Sequence, residues 1–208
     1  MNKTNVIIFG FSGHAKVVID CFESHELNVS GYFDRLEAKN NVHNISYLGF
    51  ENDVDLKSIV NNCDVFPAVG DSGLREKMVT IFKENGLKQT RAIHSTSALS
   101  NYTNIGLSTM IGPNAVVNSG AIIGNGVIIN SNATIEHDCV IEDYCHVAPG
   151  AVLAGDVFVG PSSSIGAGST VKQGVKIGRN VTIGAGSVVL NDIPDNETWV
   201  GVPAKKLR

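Results

Sequence analysis

Three consecutive residues, Glu136, His137 and Asp138, place an imidazole between two carboxylates in a part of the chain that is otherwise poor in charge. A neutral imidazole can take up a proton near neutral pH, and a neighbouring carboxylate can fix its tautomer and stabilise the imidazolium that forms. The segment is therefore a candidate for general-base catalysis. A surface histidine beside two solvated acids would have the same sequence, so the spacing alone leaves both interpretations open. A metal site is less favoured, because a tight site needs three or four convergent ligands.

A glycine turn at residues 10–14, Gly-Phe-Ser-Gly-His, joins a predicted strand to a predicted helix. Such a turn directs free backbone N–H groups and the positive end of a helix dipole towards one point, which suits an anion. Asp34 follows the next predicted strand, at a distance suited to the hydroxyls of a ribose or sugar. The complete G-x-G-x-x-G signature is absent, so the glycines could also serve only a tight turn. Arg75, beside a second loop at residues 70–73, could meet a phosphate or lie on a solvated helix face.

These residues depend on a six-residue repeat that runs without insertion from residue 93 to residue 188. The first position is Ile, Val or Leu in all sixteen blocks, the fifth is small or β-branched, and the fourth is Gly, Asn or Asp in eleven. This pattern predicts a hexapeptide β-helix, in which three short strands make one coil. We expect the first position to point inwards and the corners to adopt positive φ, as at Gly120, Asn132 and Asn180.

The N-terminal part shows a different alternation, of strands with helices. The predicted strands cover residues 5–10, 28–33 and 64–69, and helices are predicted after the glycine turn and over residues 55–60 and 74–85. This order indicates a small parallel sheet of Rossmann type. We therefore predict two domains, an α/β domain at residues 1–90 and an all-β domain at residues 91–208. Its tail, from residue 192, should leave the repeat and fold back along the coil.

Composition excludes several classes of function. Charged residues are 17% of the chain and the net charge is −4, which gives no reason to expect nucleic acid or an anionic membrane surface as a partner. No apolar run approaches the ~20 residues of a membrane span, and the first residues lack the pattern of a signal peptide. We expect a cytoplasmic protein. The cysteines show no zinc spacing, and Cys139 and Cys145 should be small buried hydrophobes at the fifth position.

Several motifs together resemble a known family. The G-x-S-G-H turn, the small α/β domain, the uninterrupted hexapeptide coil, I-E-H-D-C-V-I at residues 135–141 and V-G-V-P-A-K at residues 200–205 are similar to the bacterial sugar acetyltransferases. These are grouped with sialic-acid O-acetyltransferases, and the chain is most similar to UDP-4-amino-sugar N-acetyltransferases of bacillosamine-type synthesis. The resemblance implies a left-handed coil, a homotrimer, acetyl-CoA between neighbouring coils, no metal, and a nucleotide-linked amino sugar held by the N-terminal domain.

The resemblance also implies roles for individual residues. His137 matches the general base, Asp138 the acidic residue that tunes it, and Asn130 an orienting group. Asp138 is one methylene shorter than the Glu of similar enzymes. Three positions are implied to contact the coenzyme, namely His146, Ala167 and Ala185. Six positions match those that bind the nucleotide sugar: Ser12, Gly13, His14, Asp34, Arg35 and Gly70.

Taken together, the residues and the resemblance predict transfer of an acetyl group from acetyl-CoA to the 4-amino group of a nucleotide-linked sugar. The expected substrate is UDP-4-amino-4,6-dideoxy-N-acetylglucosamine, attacked directly with His137 as general base. Three alternatives stay open at the level of the sequence. They are O-acetylation of sialic acid or another surface-polysaccharide sugar, a metal-binding protein of the γ-carbonic-anhydrase-like class, and a purely structural β-helix.

Overall fold

A computed structural model describes residues 5–207 of the 208-residue chain, so the ends of the predicted 1–90 and 91–208 segments lie outside the described residues. The N-terminal elements are β1 (Asn5–Phe9), α1 (Gly13–Glu23), β2 (Asn28–Phe33), β3 (Ser46–Tyr47), α2 (Leu56–Val60), β4 (Asp64–Pro67) and α3 (Ser72–Glu84). The four strands form one parallel sheet in the order β3-β2-β1-β4. This confirms the Rossmann-type alternation, with the short strand β3 added to what the sequence predicted.

Local sequence explains where the helices begin. The side chain of Asp55 accepts a hydrogen bond from the N–H of Lys57 at the start of α2, and Asp71 accepts one from Leu74 at the start of α3. These N-caps satisfy backbone donors that have no partner inside the helix. Helix α1 differs, because its N-cap residue Ser12 makes no such side-chain bond. The Ser12 hydroxyl therefore remains available for a ligand.

The rest of the chain forms a three-sided coil of very short strands. They are β5 (Ala92–Ile93), β6 (Ala98–Leu99), β7 (Asn104–Ile105), β8 (Met110–Ile111), β9 (Val116–Val117), β10 (Ile122–Ile123), β11 (Ile128–Ile129), β12 (Thr134–Ile135), β13 (Val140–Ile141), β14 (His146–Val147), β15 (Val152–Leu153), β16 (Phe158–Val159), β17 (Ser164–Ile165), β18 (Thr170–Val171), β19 (Lys176–Ile177), β20 (Thr182–Ile183) and β21 (Val188–Val189). Partners in neighbouring rungs are eighteen residues apart, as in the pairing of Ile122 with Val140. The fold is the predicted left-handed parallel β-helix.

Three parallel sheets run along the coil, one on each side. The tail adds two strands to one of them, β22 (Thr198–Val200) and β23 (Lys205–Lys206). The strand orders are β19-β16-β13-β10-β7, β21-β18-β15-β12-β9-β6, and an eight-stranded sheet β23-β22-β20-β17-β14-β11-β8-β5. From Ile111 onwards the first-position aliphatic side chains are buried in one continuous core. The corners adopt positive φ at the predicted glycines and asparagines, and also at Asp138, Tyr144 and Asp156. Inward stacking of aliphatic groups and left-handed corners thus produce the coil that the repeat predicts.

The tail continues the coil before it turns back. Ile193 forms a bridge with Ile177, and β22 (Thr198–Val200) pairs with β20 in parallel. Only β23 (Lys205–Lys206) then runs antiparallel to β22. The predicted return of the chain is therefore confirmed, but it begins later than residue 192.

The α/β unit and the coil share part of their cores. Outward-facing coil residues Ala92, Met110 and Ile128 pack in the same cluster as the buried face of α1, which includes Val18 and Phe22. Burial of these apolar side chains fixes the unit against the eight-stranded side of the coil. Within residues 5–207, no helix has the length and apolar character needed to cross a membrane.

Candidate active site

His137 lies on a corner of the coil and faces outwards. It precedes Asp138, which occupies the positive-φ position with φ of 61°, and the two side chains are 55% and 67% exposed. The His137 Nδ1 atom lies 2.9 Å from Asp138 Oδ2. Because a carboxylate can only accept, this contact places the proton on Nδ1 and leaves the Nε2 lone pair free to take up another. The hydrogen bond to Asp138 raises the pKa of His137, although desolvation opposes it.

Glu136 has a different partner. Its Oε2 atom accepts a hydrogen bond of 3.0 Å from Asn118 Nδ2, one rung earlier in the coil. Of the two carboxylates that flank His137 in sequence, Asp138 is therefore the one bonded to the imidazole. Glu136 acts on it only through the longer-range field of its charge.

The imidazole of His137 lies over Gly155, eighteen residues further on. A Cβ atom at Gly155 would come within 2.5 Å of the ring Cε1 and 2.6 Å of Nε2. Gly155 does not have positive φ, and the same block position carries full side chains elsewhere, as at Gln173 and Arg179. The coil itself does not require glycine here. The residue is needed to make room for the ring, and sequence reasoning missed it although the eighteen-residue offset was available.

We predict that Gly155→Ala lowers kcat by about 10- to 100-fold, because displacement of a catalytic group by about 1 Å has effects of this size. Stability should change little, since alanine suits the backbone at this position. Steady-state kinetics and thermal unfolding provide the measurements. In a His137→Ala background the same substitution should have no further effect on kcat. An additive loss in the double variant would show that Gly155 acts otherwise than through the imidazole.

A second cluster lies where α1 meets the coil. Asn130 Nδ2 is 3.2 Å from His146 Nε2, and His14 of α1 has a buried Nε2 atom without a hydrogen-bond partner among residues 5–207. Burial, and then the nearby charge of Arg75, lowers the pKa of both His14 and His146 to about 4. Both imidazoles are therefore neutral at physiological pH. The structure places Asn130 beside His146, whereas the sequence led us to expect it as an orienting group for catalysis.

The predicted coenzyme positions follow one edge of the coil. His146 is in β14, and Ala167 and Ala185 come just after β17 and β20, which are successive strands of the eight-stranded sheet. Both alanines are exposed. Within the described part of the chain, neither of their N–H groups donates a backbone hydrogen bond. A strip of small residues with free donors fits an extended, amide-containing ligand such as the pantetheine arm of CoA.

The two clusters are separate within one chain. His137 follows β12 in the six-stranded sheet, whereas His146 belongs to the eight-stranded sheet. The only group of metal-ligand type found in residues 5–207 is Asp20, Glu23 and His43, on the surface of the α/β unit. His137 is not part of it, so its surroundings favour proton transfer over metal binding.

A cavity of about 480 Å³ opens at the carboxyl edge of the N-terminal sheet. Of the residues predicted to bind the nucleotide sugar, four line it: Ser12, Asp34, Arg35 and Gly70. Gly13 and His14 belong to the first turn of α1 but do not line the cavity. Asp34 accepts hydrogen bonds from the N–H groups of Phe11 (2.8 Å) and Arg35 (2.6 Å). Its carboxylate thus holds the glycine turn, and its remaining lone pairs can accept hydrogen bonds from a ligand in the cavity.

Arg75 has neither of the two placements that the sequence allowed. It is 1% exposed and donates to the carbonyl oxygens of Gly126 (2.5 Å), Gly70 (2.7 Å) and Tyr144 (2.7 Å). The reason is the phase of α3, which turns Arg75 towards the coil and leaves Leu74, expected in the apolar face, 49% exposed. Burial lowers the pKa of Arg75 to about 10. The expectation of a phosphate ligand or a solvated face was wrong.

Comparison with known proteins agrees with this architecture. Residues 5–82 match the PglD N-terminal domain family, and residues 102–137, 121–155 and 156–191 match the bacterial transferase hexapeptide family. No curated protein sequence matches the chain significantly.

Solved structures provide closer matches. A mutant of perosamine N-acetyltransferase from Caulobacter crescentus, in complex with CoA and GDP-perosamine, is 32% identical with a TM-score of 0.93, over 98% of this chain and 97% of that one. The acetyltransferase domain of PglB from Neisseria gonorrhoeae, in complex with acetyl coenzyme A, is 30% identical with a TM-score of 0.91, over 99% and 100%. WeeI from Acinetobacter baumannii, at 23% identity and a TM-score of 0.86, shares the fold.

Proposed function

The chain belongs to the bacterial sugar acetyltransferases that combine a PglD-type N-terminal domain with a hexapeptide coil, and it is an acetyl-CoA-dependent sugar N-acetyltransferase. From this premise we propose that it acetylates the 4-amino group of a nucleotide-linked sugar with His137 as general base. The observation that carries the proposal is the outward-facing imidazole whose Nδ1 is bonded to Asp138 and whose Nε2 is free.

The reaction we propose is a direct attack in a ternary complex. The neutral amine attacks the thioester carbonyl while its proton passes to His137 Nε2, and the CoA thiolate leaves as the tetrahedral intermediate collapses. Backbone N–H groups of the coil would stabilise the oxyanion. No acyl-enzyme is needed, because the two coil cysteines are buried and unsuited as nucleophiles. Burial raises the pKa of Cys139 and raises that of Cys145 to about 12.

The proposed coenzyme site is the edge that contains His146, Ala167 and Ala185. Asn130 holds the His146 ring by the contact described above, so its proposed orienting role concerns the coenzyme site. The free N–H groups of the two alanines would donate to amide carbonyls of the pantetheine arm. His146 is neutral at working pH, so it can donate or accept a hydrogen bond without adding a charge.

We further propose that the active enzyme is a homotrimer, with each coenzyme between neighbouring coils. Support comes from the separation of the two clusters on different edges of one coil. A neighbouring copy could bring its His146 edge to the His137 corner of the first copy. The proposal also places the sugar-binding cavity of the α/β unit at the same junction, since Arg75 connects the Gly70 loop to the coil beside His146.

Two nucleotide carriers are candidates for the sugar. The resemblance in sequence predicts a UDP-linked 4-amino sugar of the bacillosamine type, and the perosamine N-acetyltransferase similar to this chain was crystallised with GDP-perosamine.

An assay with labelled acetyl-CoA and a panel of UDP-, GDP- and dTDP-linked amino sugars, with the corresponding hydroxyl sugars, tests the function. Acetylation of hydroxyl sugars alone would contradict the proposal and support the O-acetyltransferase alternative. Membership of an enzyme family makes the purely structural alternative wrong.

The pH dependence should report the state of His137. The base acts in its neutral form, so kcat/KM should fall as the pH drops through the pKa of His137, which the bond to Asp138 raises above 6.5. His14 and His146 cannot cause this limb, because they titrate at about 4.

Asp138→Asn should therefore move the acidic limb to lower pH and reduce the plateau rate, because the imidazolium loses its carboxylate. Glu136→Gln is the matched control, since the Glu136 carboxylate is bonded to Asn118, and it should move the limb less. A limb that stays in place in Asp138→Asn would rule out Asp138 as the group that tunes the base. Complete pH–rate profiles for the three proteins are the measurement.

A further inference from the structure

Glu51 is a mostly buried residue whose carboxylate opens onto the sugar-binding cavity. It lines the same cavity as Asp34 and Arg35 and is 7% exposed. Among the residues that the structure describes, its side chain forms no hydrogen bond and no ion pair. Its oxygens are not among the fully enclosed polar atoms, so they face the open cavity, where a carboxylate can accept hydrogen bonds from a ligand. Since residues 5–207 supply no donor to it, the molecule that fills the cavity can provide one.

The position of Glu51 indicates which part of a nucleotide it meets. In a Rossmann-type sheet the phosphates bind at the turn after β1, and the acidic residue at the end of β2 binds the ribose. Asp34 occupies the β2 position. Glu51 follows β3, which lies on the outer side of β2 in the sheet. It is therefore one strand further from the phosphate site than the ribose-binding position at the end of β2. This is the position of the base.

Flat side chains accompany Glu51 in this part of the cavity. The Arg35 guanidinium carbon lies 5.9 Å from the centre of the Phe50 ring, and both residues line the cavity with Glu51. Aromatic rings and guanidinium groups are the surfaces on which bases stack. A stacked base at Phe50 and Arg35 would direct the hydrogen-bonding groups of its edge towards the walls of the cavity.

We propose that Glu51 selects guanine as the base of the nucleotide-sugar substrate. Guanine presents N1–H and the N2 amino group side by side, and these two donors match the two oxygens of a carboxylate. Uracil and thymine present a single N–H between two carbonyl oxygens, which a carboxylate repels. The inference rests on the proposed function for the presence of a nucleotide sugar in the cavity, and it assigns GDP as the carrier.

Binding of free nucleotides to the intact protein tests the proposal without any acetyl transfer. By calorimetry, GDP should bind about 10- to 100-fold more tightly than UDP, the size expected for one bidentate contact to a base. IDP, which lacks only the N2 amino group, should bind with intermediate affinity. In Glu51→Gln the preference of GDP over IDP and UDP should disappear, while UDP affinity changes less than about threefold.

Asp53→Asn is the matched control, because Asp53 is an exposed acid in the same segment, and it should leave the preference unchanged. Thermal unfolding of Glu51→Gln checks that the variant is folded, and Glu51→Asp, which retains the carboxylate, should keep part of the preference for GDP.

Equal affinities of the wild type for GDP, IDP and UDP would overturn the proposal. So would an equal loss for all three in Glu51→Gln, which would mean that the carboxylate binds the ribose hydroxyls. If this binding test fails but the panel assay detects acetylation of a UDP-linked amino sugar, the proposed function is retained and only the assignment of guanine is wrong. Conversely, a clear GDP preference without acetylation of any amino sugar would contradict the proposed function alone.

Discussion

Replacement of His137 by alanine is expected to lower kcat by about 10²–10⁴, the range for removal of a general base. The imidazole is the one group on its corner with a free basic nitrogen and a carboxylate that stabilises its charged form. KM for the sugar should change much less, because the proposed sugar-binding residues line a separate cavity. Steady-state kinetics with saturating acetyl-CoA measure both constants.

His94→Ala provides the matched control for this substitution. His94 is another histidine of the coil, and its Nδ1 contacts Thr96 instead of a carboxylate. The control should retain wild-type kcat. Acetyl transfer at the wild-type rate in His137→Ala would refute the proposed mechanism, and a similar loss in both variants would indicate a structural effect.

Replacement of Arg75 by alanine is expected to destabilise the protein by about 3–5 kcal/mol, as for other losses from a buried polar network. The guanidinium is enclosed, and its removal leaves the carbonyl groups of Gly126, Gly70 and Tyr144 without their donor. Hydrogen bonds to a charged group contribute more than neutral ones, and the carbonyl of the buried Gly126 carries its own cost when it is left unsatisfied. Because Arg75 connects helix α3 to the coil, the loss should fall on the α/β unit.

Urea unfolding followed by circular dichroism and by Trp199 fluorescence should therefore give two separate transitions in Arg75→Ala. The α/β unit would unfold first, while Trp199 in the last coil reports the second transition. Lys77→Ala, which removes an exposed cation from the same helix, should stay within about 0.5 kcal/mol of the wild type. An Arg75→Ala protein as stable as this control would show that the carbonyl contacts contribute little.

Periodicity made the coil and its corner predictable from sequence. A repeat without insertions fixes which side chains point inwards, and thereby places His137 outside the core. Gly155 could have been found by adding one coil to His137, because the block position elsewhere carries side chains such as Gln173. The same eighteen-residue offset relates Glu136 to Asn118, so their proximity could be predicted, whereas the geometry of their hydrogen bond could not.

Arg75 and Glu51 could not be predicted by these means. The partners of Arg75 are backbone carbonyls, which every residue has, and two of them lie 51 and 69 residues away. The helical pattern of Leu74, Met78 and Phe82 predicted a helix phase close to the observed one. It was wrong by one residue at the start of the helix, where Leu74 was expected to be buried but Arg75 is buried instead. Glu51 lies in an irregular segment without any period, so only the cavity identifies it.

The stacking of rungs eighteen residues apart also determines which insertions the enzyme can accept. Each coil adds about 4.8 Å along the axis. A complete extra coil after Gly155 would keep every side chain on its own edge and move Ala167 and Ala185 away from His137 by one such step. A six-residue insertion between residues 139 and 155 would still satisfy the core, yet it would move Gly155 to another edge. Folding therefore tolerates insertions in units of six, whereas catalysis requires the present number of residues between His137 and the two alanines, because even a complete extra coil separates them by far more than 1 Å.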